Sequence, residues 1–273
     1  MIPRANITAW RSSAPWPSND QVEQDLVLSR VLVSLFSSRV VADEAVFRGG
    51  TALHKMLFTR PGRYSEDIDL VQRNSGPIGK LITAIRSTLD SWLGDPAWKQ
   101  GKGRFTLYYA FETSFAPVST RRVKIEINTR EHFTVLGIEM HPYAVVNPWF
   151  TGTSNISIYS LEELLGTKLR ALYQRRKGRD LYDLWQALSV EEARPDRIIE
   201  CFQSYISRDG LRVSRAQFEA NLASKLLSKA FLDDIRLLIP ADIEYNTAIA
   251  ANIIQDKLLT RLPGNPWKGT ASE

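Results

Sequence analysis

The sequence predicts an α+β fold in which a mixed α/β half, residues 1–158, precedes a helical half, residues 159–273. Three observations carry that expectation. Val123, Ile125 and Ile127 alternate with Lys124, Glu126 and Asn128, the period-two signature of a half-buried strand. Runs of that kind are interleaved with helix-like segments as far as Ile158. From Ser160 onward the chain reads as helical to its end.

The elements follow in order. Residues 1–19 are rich in Ser, Pro and Asn and are expected to form an arm or lead-in loop. Asn19 or Asp20 is placed to cap a helix over 20–38, with Val22, Leu26, Leu28, Val31, Leu32, Leu35 and Phe36 near its buried stripe. A short strand at Ala45–Arg48 meets Gly49-Gly50, and a helix runs from Thr51 to Phe58. Arg60-Pro61-Gly62-Arg63 is a turn. A strand holding Asp67 and Asp69 runs to Gln72, and a helix covers 77–93. Gly101-Lys102-Gly103 turns between that helix and strands at 104–111 and 121–128; shorter strands are expected at 133–138, 142–147 and 155–159. Ser160-Leu161-Glu162-Glu163 has the S-x-x-E form of a capping box. Helix breaks are expected near Gly178, Pro195, Gly210 and Pro240, with an irregular tail at 262–266.

At 273 residues, with 44% hydrophobic and 24% charged content, the composition is that of a globular protein. No apolar run reaches the eighteen residues of a membrane span, so no membrane association is expected. Met1-Ile2-Pro3-Arg4 lacks the apolar core of a signal peptide, and a cytoplasmic location is the expectation. A single cysteine, Cys201, excludes an intramolecular disulfide and a cysteine-based zinc site. The net charge is +5 and the pI is about 9.3, which suits a polyanionic partner. Six basic residues and no acidic one lie between Lys168 and Arg179, and Arg121, Arg122 and Lys124 form a second cluster. Either run reads as a solvated face or as a phosphate-binding surface.

The chemistry concentrates between Phe47 and Leu70. Gly49-Gly50 leading into a helix is either a tight turn or a phosphate cradle, with backbone N–H groups exposed at the positive end of the helix and no Cβ to hinder approach. Thr51 or Ser65 would add a hydroxyl donor there, and Arg60 and Arg63 are candidate triphosphate contacts. Asp67 and Asp69, two apart on a strand, project from one face while Ile68 and Leu70 bury on the other. Carboxylates held that close repel unless a cation lies between them, and a cation there would meet a phosphate. Glu126, on the polar face of its strand, is the third candidate metal ligand. An exposed polar pair for the two aspartates, and a Lys124–Glu126 surface pair, are the competing structural readings. His54, His132 and His141 have no metal-ligand spacing, and no G-x-S-x-G elbow or Walker A lysine is present.

FRGGTALHK followed by RYSEDIDL, then Glu163–Lys168 (ELLGTK) and Arg179–Leu184 (RDLYDL), resembles the motifs of the AbiEii/AbiGii (MenT-like) nucleotidyltransferase toxins, within the wider DNA polymerase β-like superfamily. The basic residues before Arg179 are spaced slightly differently from the family pattern. The resemblance implies a polymerase β-like nucleotidyltransferase domain followed by a helical bundle. It also implies an NTP substrate, Mg²⁺ or Mn²⁺ on Asp67, Asp69 and Glu126, and a phosphate contact from Lys168. Asp180 becomes an active-site carboxylate that orients Lys168 or Arg179 or assists deprotonation of the acceptor. Asp183, on the same helical face, serves catalysis or simply partners Arg179. The implied activity is transfer of NMP to an RNA hydroxyl, the 3′ end of tRNA foremost, blocking translation in a toxin–antitoxin or phage-defence setting. A cognate antitoxin encoded nearby is the implied partner. A protein or small-molecule acceptor keeps the same fold, whereas a two-metal nuclease or a non-catalytic nucleotide-binding regulator is the reading from a different class.

Overall fold

The alternating strands assemble into one seven-stranded sheet in the computed structural model, which describes residues 2–240 and 242–269. The chain divides into two compact units: Met1–Leu57 with Arg63–Tyr159, and Phe58–Gly62 with Ser160–Glu273.

The first unit contains helices α1 (Arg4–Trp10), α2 (Asn19–Ser37), α3 (Arg39–Glu44), α4 (Gly49–Ala52) and α5 (Gly79–Leu93). Its strands are β1 (Ala45–Arg48), β2 (Asp67–Gln72), β3 (Ala97–Gly101), β4 (Arg104–Glu112), β5 (Thr120–Asn128), β6 (Ile138–Asn147) and β7 (Phe150–Tyr159). The spatial order is β3-β4-β5-β2-β1-β7-β6. The β2–β5 and β1–β7 pairs are parallel and the others antiparallel. In register, Phe47 meets Leu70 and Ile158, while Ile68 and Leu70 meet Ile125 and Ile127. All are buried on one face, each side chain stabilising the fold by about 1.5–3 kcal/mol. The buried stripe of α2 covers that face, with the Phe36 ring 6.5 Å from Phe47. The pleat therefore turns Arg48, Asp67, Asp69, Lys124 and Glu126 to the opposite face.

Several elements differ from expectation. Residues 1–19 form no loose arm. Helix α1 packs there, and the indole N–H groups of Trp10 and Trp16 donate to the two oxygens of buried Asp25, at 2.8 and 2.9 Å. Lys55 Nζ completes that carboxylate's partners at 2.8 Å. The N-cap of α2 is Ser18, not Asn19 or Asp20, because Ser18 and Gln21 form a reciprocal capping box. Strand β3 was not legible; its five residues are exposed and cling to β4 through Trp98 stacked on Phe105. Residues 133–138 are irregular rather than a strand, apart from Ile138 at the start of β6. The helix expected from Thr51 begins at Gly49 and widens into a π-helical turn over Leu53–Leu57.

The second unit is helical: α6 (Leu161–Gln174), α7 (Gly178–Ser189), α8 (Pro195–Arg208), α9 (Arg215–Leu226), α10 (Lys229–Asp233) and α11 (Thr247–Lys257). Helix α6 packs on α7 and α8, and Gly166 permits that approach, since a Cβ there would press on the backbone of Phe202. Phe58–Gly62, although earlier in the chain than β2, belongs to this unit; Tyr182 and Gln186 donate to the carbonyls of Gly62 and Arg60 at 2.8 and 3.1 Å. The expected capping box at Ser160 does not form. Glu163 is fully buried and instead accepts the Tyr205 hydroxyl at 2.8 Å. Cys201 is also buried, and that burial pushes its thiol up to about 12, which removes it as a nucleophile. Among the described residues no helix is long and apolar enough to cross a membrane.

Candidate active site

Strand β1 delivers the chain from Arg48 into Gly49 at φ +85°, a left-handed conformation that glycine adopts without strain. A Cβ at Gly49 would collide with the Asp69 carboxylate, and one at Gly50 with the Arg63 guanidinium. The double glycine is therefore where backbone and carboxylate meet. Thr51 is buried; its hydroxyl donates to the Asp67 carbonyl at 2.5 Å and lies 2.8 Å from Ser65 Oγ. Thr51 has one proton to give, so Ser65 is the donor of that second bond. These hydroxyls tie the loop to the start of β2. Arg63 is buried against Gly50 and donates to the Tyr64 carbonyl at 3.0 Å. Arg60 lies in the second unit with its side chain exposed.

Asp67 and Asp69 stand on one face of β2, and Asp69 is in register with Glu126 on β5. Lys124 bridges two of the three carboxylates: its ammonium lies 3.3 Å from Asp67 and 3.2 Å from Glu126. Burial opposes the Lys124 charge, but Asp67, Glu126 and Asp69 outweigh it and raise its pKa. Asp69 is the strained member. Burial first, then Asp67, lifts its pKa above the carboxylate range despite Arg48 and Lys124. Arg48 pairs with Glu131; burial disfavours its charge, but Glu131 and then Asp69 raise its pKa overall.

In the second unit, Lys168 Nζ lies 2.9 Å from Asp183 and 3.4 Å from Asp180, and both carboxylates are fully buried. Arg175 donates to both oxygens of Asp180, at 2.7 and 2.8 Å. Lys225 donates to the Leu172 and Tyr173 carbonyls at the end of α6. Burial, followed by Arg176, pushes its ammonium down to about 8. The basic run is largely neutralised within this unit. Lys168, Arg170, Arg175, Lys177 and Arg179 all have carboxylate partners, two of them sharing Asp234. Arg176 is exposed. In the other basic cluster Arg121 pairs with Asp20 at 3.0 Å and Lys124 belongs to the carboxylate face, which leaves Arg122 exposed.

A profile of the AbiEii nucleotidyltransferase toxins of type IV toxin–antitoxin systems matches residues 30–251, most of the chain. The protein belongs to the AbiEii family. It is therefore a nucleotidyltransferase of a toxin–antitoxin class, which implies an antitoxin as its partner; nucleotidyltransferases in general use NTPs and divalent metals. No curated protein matches the sequence. Among solved structures, JHP933 from Helicobacter pylori is 21% identical with a TM-score of 0.55, covering 88% of this chain and 90% of its own. The nucleotidyltransferase toxin MenT4 from Mycobacterium tuberculosis is 17% identical with a TM-score of 0.45, covering 93% and 94%. The first likeness shows a shared fold.

The AbiEii-family chain presents a donor set suited to a hard divalent ion. Among the described residues no three His, Cys, Asp or Glu side chains are gathered as a metal cage. Mg²⁺ does not need one, since it is commonly held by one or two carboxylates plus substrate phosphates. Asp67 and Asp69 fit that requirement, side by side on one face of β2. Glu126, in register with Asp69, is held by the Lys124 ammonium at 3.2 Å. Two contributors were missed in the sequence, Arg48 and Arg175. Arg48 lies inside the FRGG string, and its position beside Gly49 was the available signal; Arg175 was read only as a member of the basic run, and its pairing with Asp180 was not assigned.

Proposed function

We propose that this AbiEii-family protein transfers NMP from an NTP to an RNA hydroxyl, the tRNA 3′ end foremost, in the cytoplasm. The observation that carries the reading is the meeting of Gly49 with Asp69 on the strand face that also holds Asp67 and Glu126. The Gly49-Gly50 turn offers backbone N–H groups to the β- and γ-phosphates, with the buried Arg63 charge against Gly50. Thr51 and Ser65 fix the turn against β2 and so set its distance from Asp67. Asp67 and Asp69 would hold Mg²⁺ or Mn²⁺, Glu126 joining once Lys124 gives it up. When bound, the metal neutralises triphosphate charge and lowers the pKa of the attacking hydroxyl. The acceptor oxygen bonds to the α-phosphorus as the bond to the β-phosphate oxygen breaks and pyrophosphate leaves. Lys168 is assigned to the nucleotide phosphates, with Asp180 and Asp183 as the residues that position its ammonium.

The test is incubation of the protein with total tRNA, Mg²⁺ and each α-labelled NTP, beside Asp67→Ala. Label on tRNA with the wild type only is expected. Label on tRNA from both proteins would sink the site assignment, and no label with any NTP would sink the acceptor. A protein or small-molecule acceptor is the second reading, favoured by the internal pairing of most of the basic run; protease-sensitive label would decide for protein.

Gly49→Ala is a further check. The added Cβ meets Asp69 and takes on left-handed strain, costing about 1–3 kcal/mol. A melting temperature lowered by several degrees, with kcat for transfer falling further than NTP affinity, is the expected pattern. Wild-type stability and rate in that variant would show that the close approach is dispensable.

A further inference from the structure

The carboxylate face of the sheet extends past Glu126 to the β3 edge. Register fixes which side chains share it. Lys99, Thr106, Glu126 and Asp69 lie in one row across β3, β4, β5 and β2, and Ala97, Tyr108, Lys124 and Asp67 lie in the next. Arg104, opposite Asn128, and Arg122, opposite Ala110, fall on the same face. The other face of these strands is core, holding Phe105, Leu107 and Tyr109. Neighbouring strands stand about 4.8 Å apart, which puts β4 about 10 Å and β3 about 14 Å from the aspartates of β2.

This stretch of the face is open and cationic. Lys99, Lys102, Arg104, Arg122 and Arg130 are exposed, and none has a carboxylate partner among the described residues. Gly103, at φ +77°, turns β3 into β4 and lacks the Cβ that would strike the Arg130 side chain, so Arg130 packs against the turn. Glu112, at the far end of β4, is the sole carboxylate on β3 and β4. The run from Lys168 to Arg179 is the opposite case, since most of its cations are matched by Asp180, Asp209 and Asp234. Tyr108 adds an aromatic surface. Its ring is half-buried, sits next to Lys124, and meets only a methyl group, that of Ala97, on its outer side. Cations that track a phosphate backbone, with a ring on which a base stacks, are the combination that holds single-stranded nucleic acid.

Position in the sheet selects which strand it holds. The Gly49-Gly50 turn leaves β1, on the flank of β2 opposite β5. In an in-line displacement the attacking oxygen lies opposite the leaving pyrophosphate. With pyrophosphate at the glycine turn, the attacking hydroxyl enters from the β5 side. We infer that the single-stranded 3′ end of an acceptor RNA lies over β3, β4 and β5, with its backbone on Lys99, Arg104 and Arg122 and a base on Tyr108. The inference rests on the transferase reading above and names its acceptor surface.

Two measurements on the full chain test it. In the first, a fluorescent single-stranded RNA of roughly ten nucleotides, within the span of such surfaces, is titrated by anisotropy without NTP over a range of salt. Each of Lys99→Gln, Arg104→Gln and Arg122→Gln should make the log–log salt dependence shallower by about 0.7. Tyr108→Ala should weaken binding about 5- to 150-fold, the effect of one stacked base, and Tyr108→Phe should keep the wild-type affinity. Arg176→Gln, which removes the same charge from the second unit, should change neither quantity. In the second, transfer is measured, and the β3–β5 variants should raise KM for RNA and leave KM for NTP unchanged. The three charge variants are at exposed positions and carry the test alone if Tyr108→Ala lowers the melting temperature. An equal loss of affinity in Arg176→Gln, full affinity in a folded Tyr108→Ala, a polyglutamate peptide bound as tightly as the RNA, or a rise in KM for NTP instead would each overturn the surface while leaving the transferase reading standing. RNA binding with the expected variant pattern but no transfer to any RNA would uphold the surface and overturn RNA as the acceptor.

Discussion

Replacing Asp69 with asparagine is expected to abolish NMP transfer and, in metal-free buffer, to raise the melting temperature. The loss of activity, roughly 10³-fold or more, follows from removing one of the two carboxylates beside the Gly49 turn. The gain in stability follows from the charges around it. Burial and Asp67 disfavour ionised Asp69 more than Arg48 and Lys124 favour it, so its folded pKa lies above its unfolded one. A carboxyl raised in this way contributes stability in full below its unfolded pKa, about 4, and that contribution is lost as pH rises through the folded value. At neutral pH the wild type therefore carries a penalty that the amide does not, worth about 0.5–2 kcal/mol on the scale of relieved active-site strain. The advantage of Asp69→Asn should be present at pH 7 and fade toward pH 4. Mg²⁺ should raise the wild-type melting temperature and leave that of the variant nearly unchanged. A variant that melts below the wild type at pH 7 would show that Asp69 is a structural charge held by Arg48.

The aspartate pair was legible because strand periodicity is local: Asp67, Ile68, Asp69 and Leu70 declare their faces without any partner. The place of Glu126 was only half legible. Its face could be read, but its register against Asp69 depends on a parallel pairing between strands more than forty residues apart in sequence. The Lys124–Glu126 pair was readable from their shared strand face and does form, but the second contact of Lys124, to Asp67, depends on the β2–β5 register, which spacing does not give. The basic run could be read only as a solvated face or a phosphate surface for the same reason. Asp209 and Asp234, which neutralise Arg170, Lys177 and Arg179, come from distant helices, so the run looked open in one dimension and is mostly closed in three. Trp10 and Trp16 sat in a stretch whose composition reads as loop, and only the buried Asp25 carboxylate gives their indoles a reason to order it.

Asp180→Ala is expected to have the largest effect on stability, about 3–5 kcal/mol, the loss that follows when one partner of a buried ion pair is removed. Asp180 is fully buried and serves two cations at once, Arg175 through both oxygens and Lys168 through one. With alanine there, Arg175 loses both of its hydrogen bonds to Asp180, and Lys168 loses one of its two carboxylate contacts and keeps that to Asp183. In the wild type Asp180 and Asp183 both hold Lys168, so the phosphate contact proposed for Lys168 would have to compete with Asp183. Loss of Asp180 should therefore appear first in denaturation and only second in kinetics. At temperatures where the variant stays folded, KM for NTP should rise more than kcat falls, because Lys168 is no longer held in place. A Lys168–Asp183 double-mutant cycle should give a coupling of about 0.5–3 kcal/mol. If Asp180→Ala instead unfolds like the wild type while kcat collapses, its carboxylate takes part in the chemistry and the positioning role assigned to it fails.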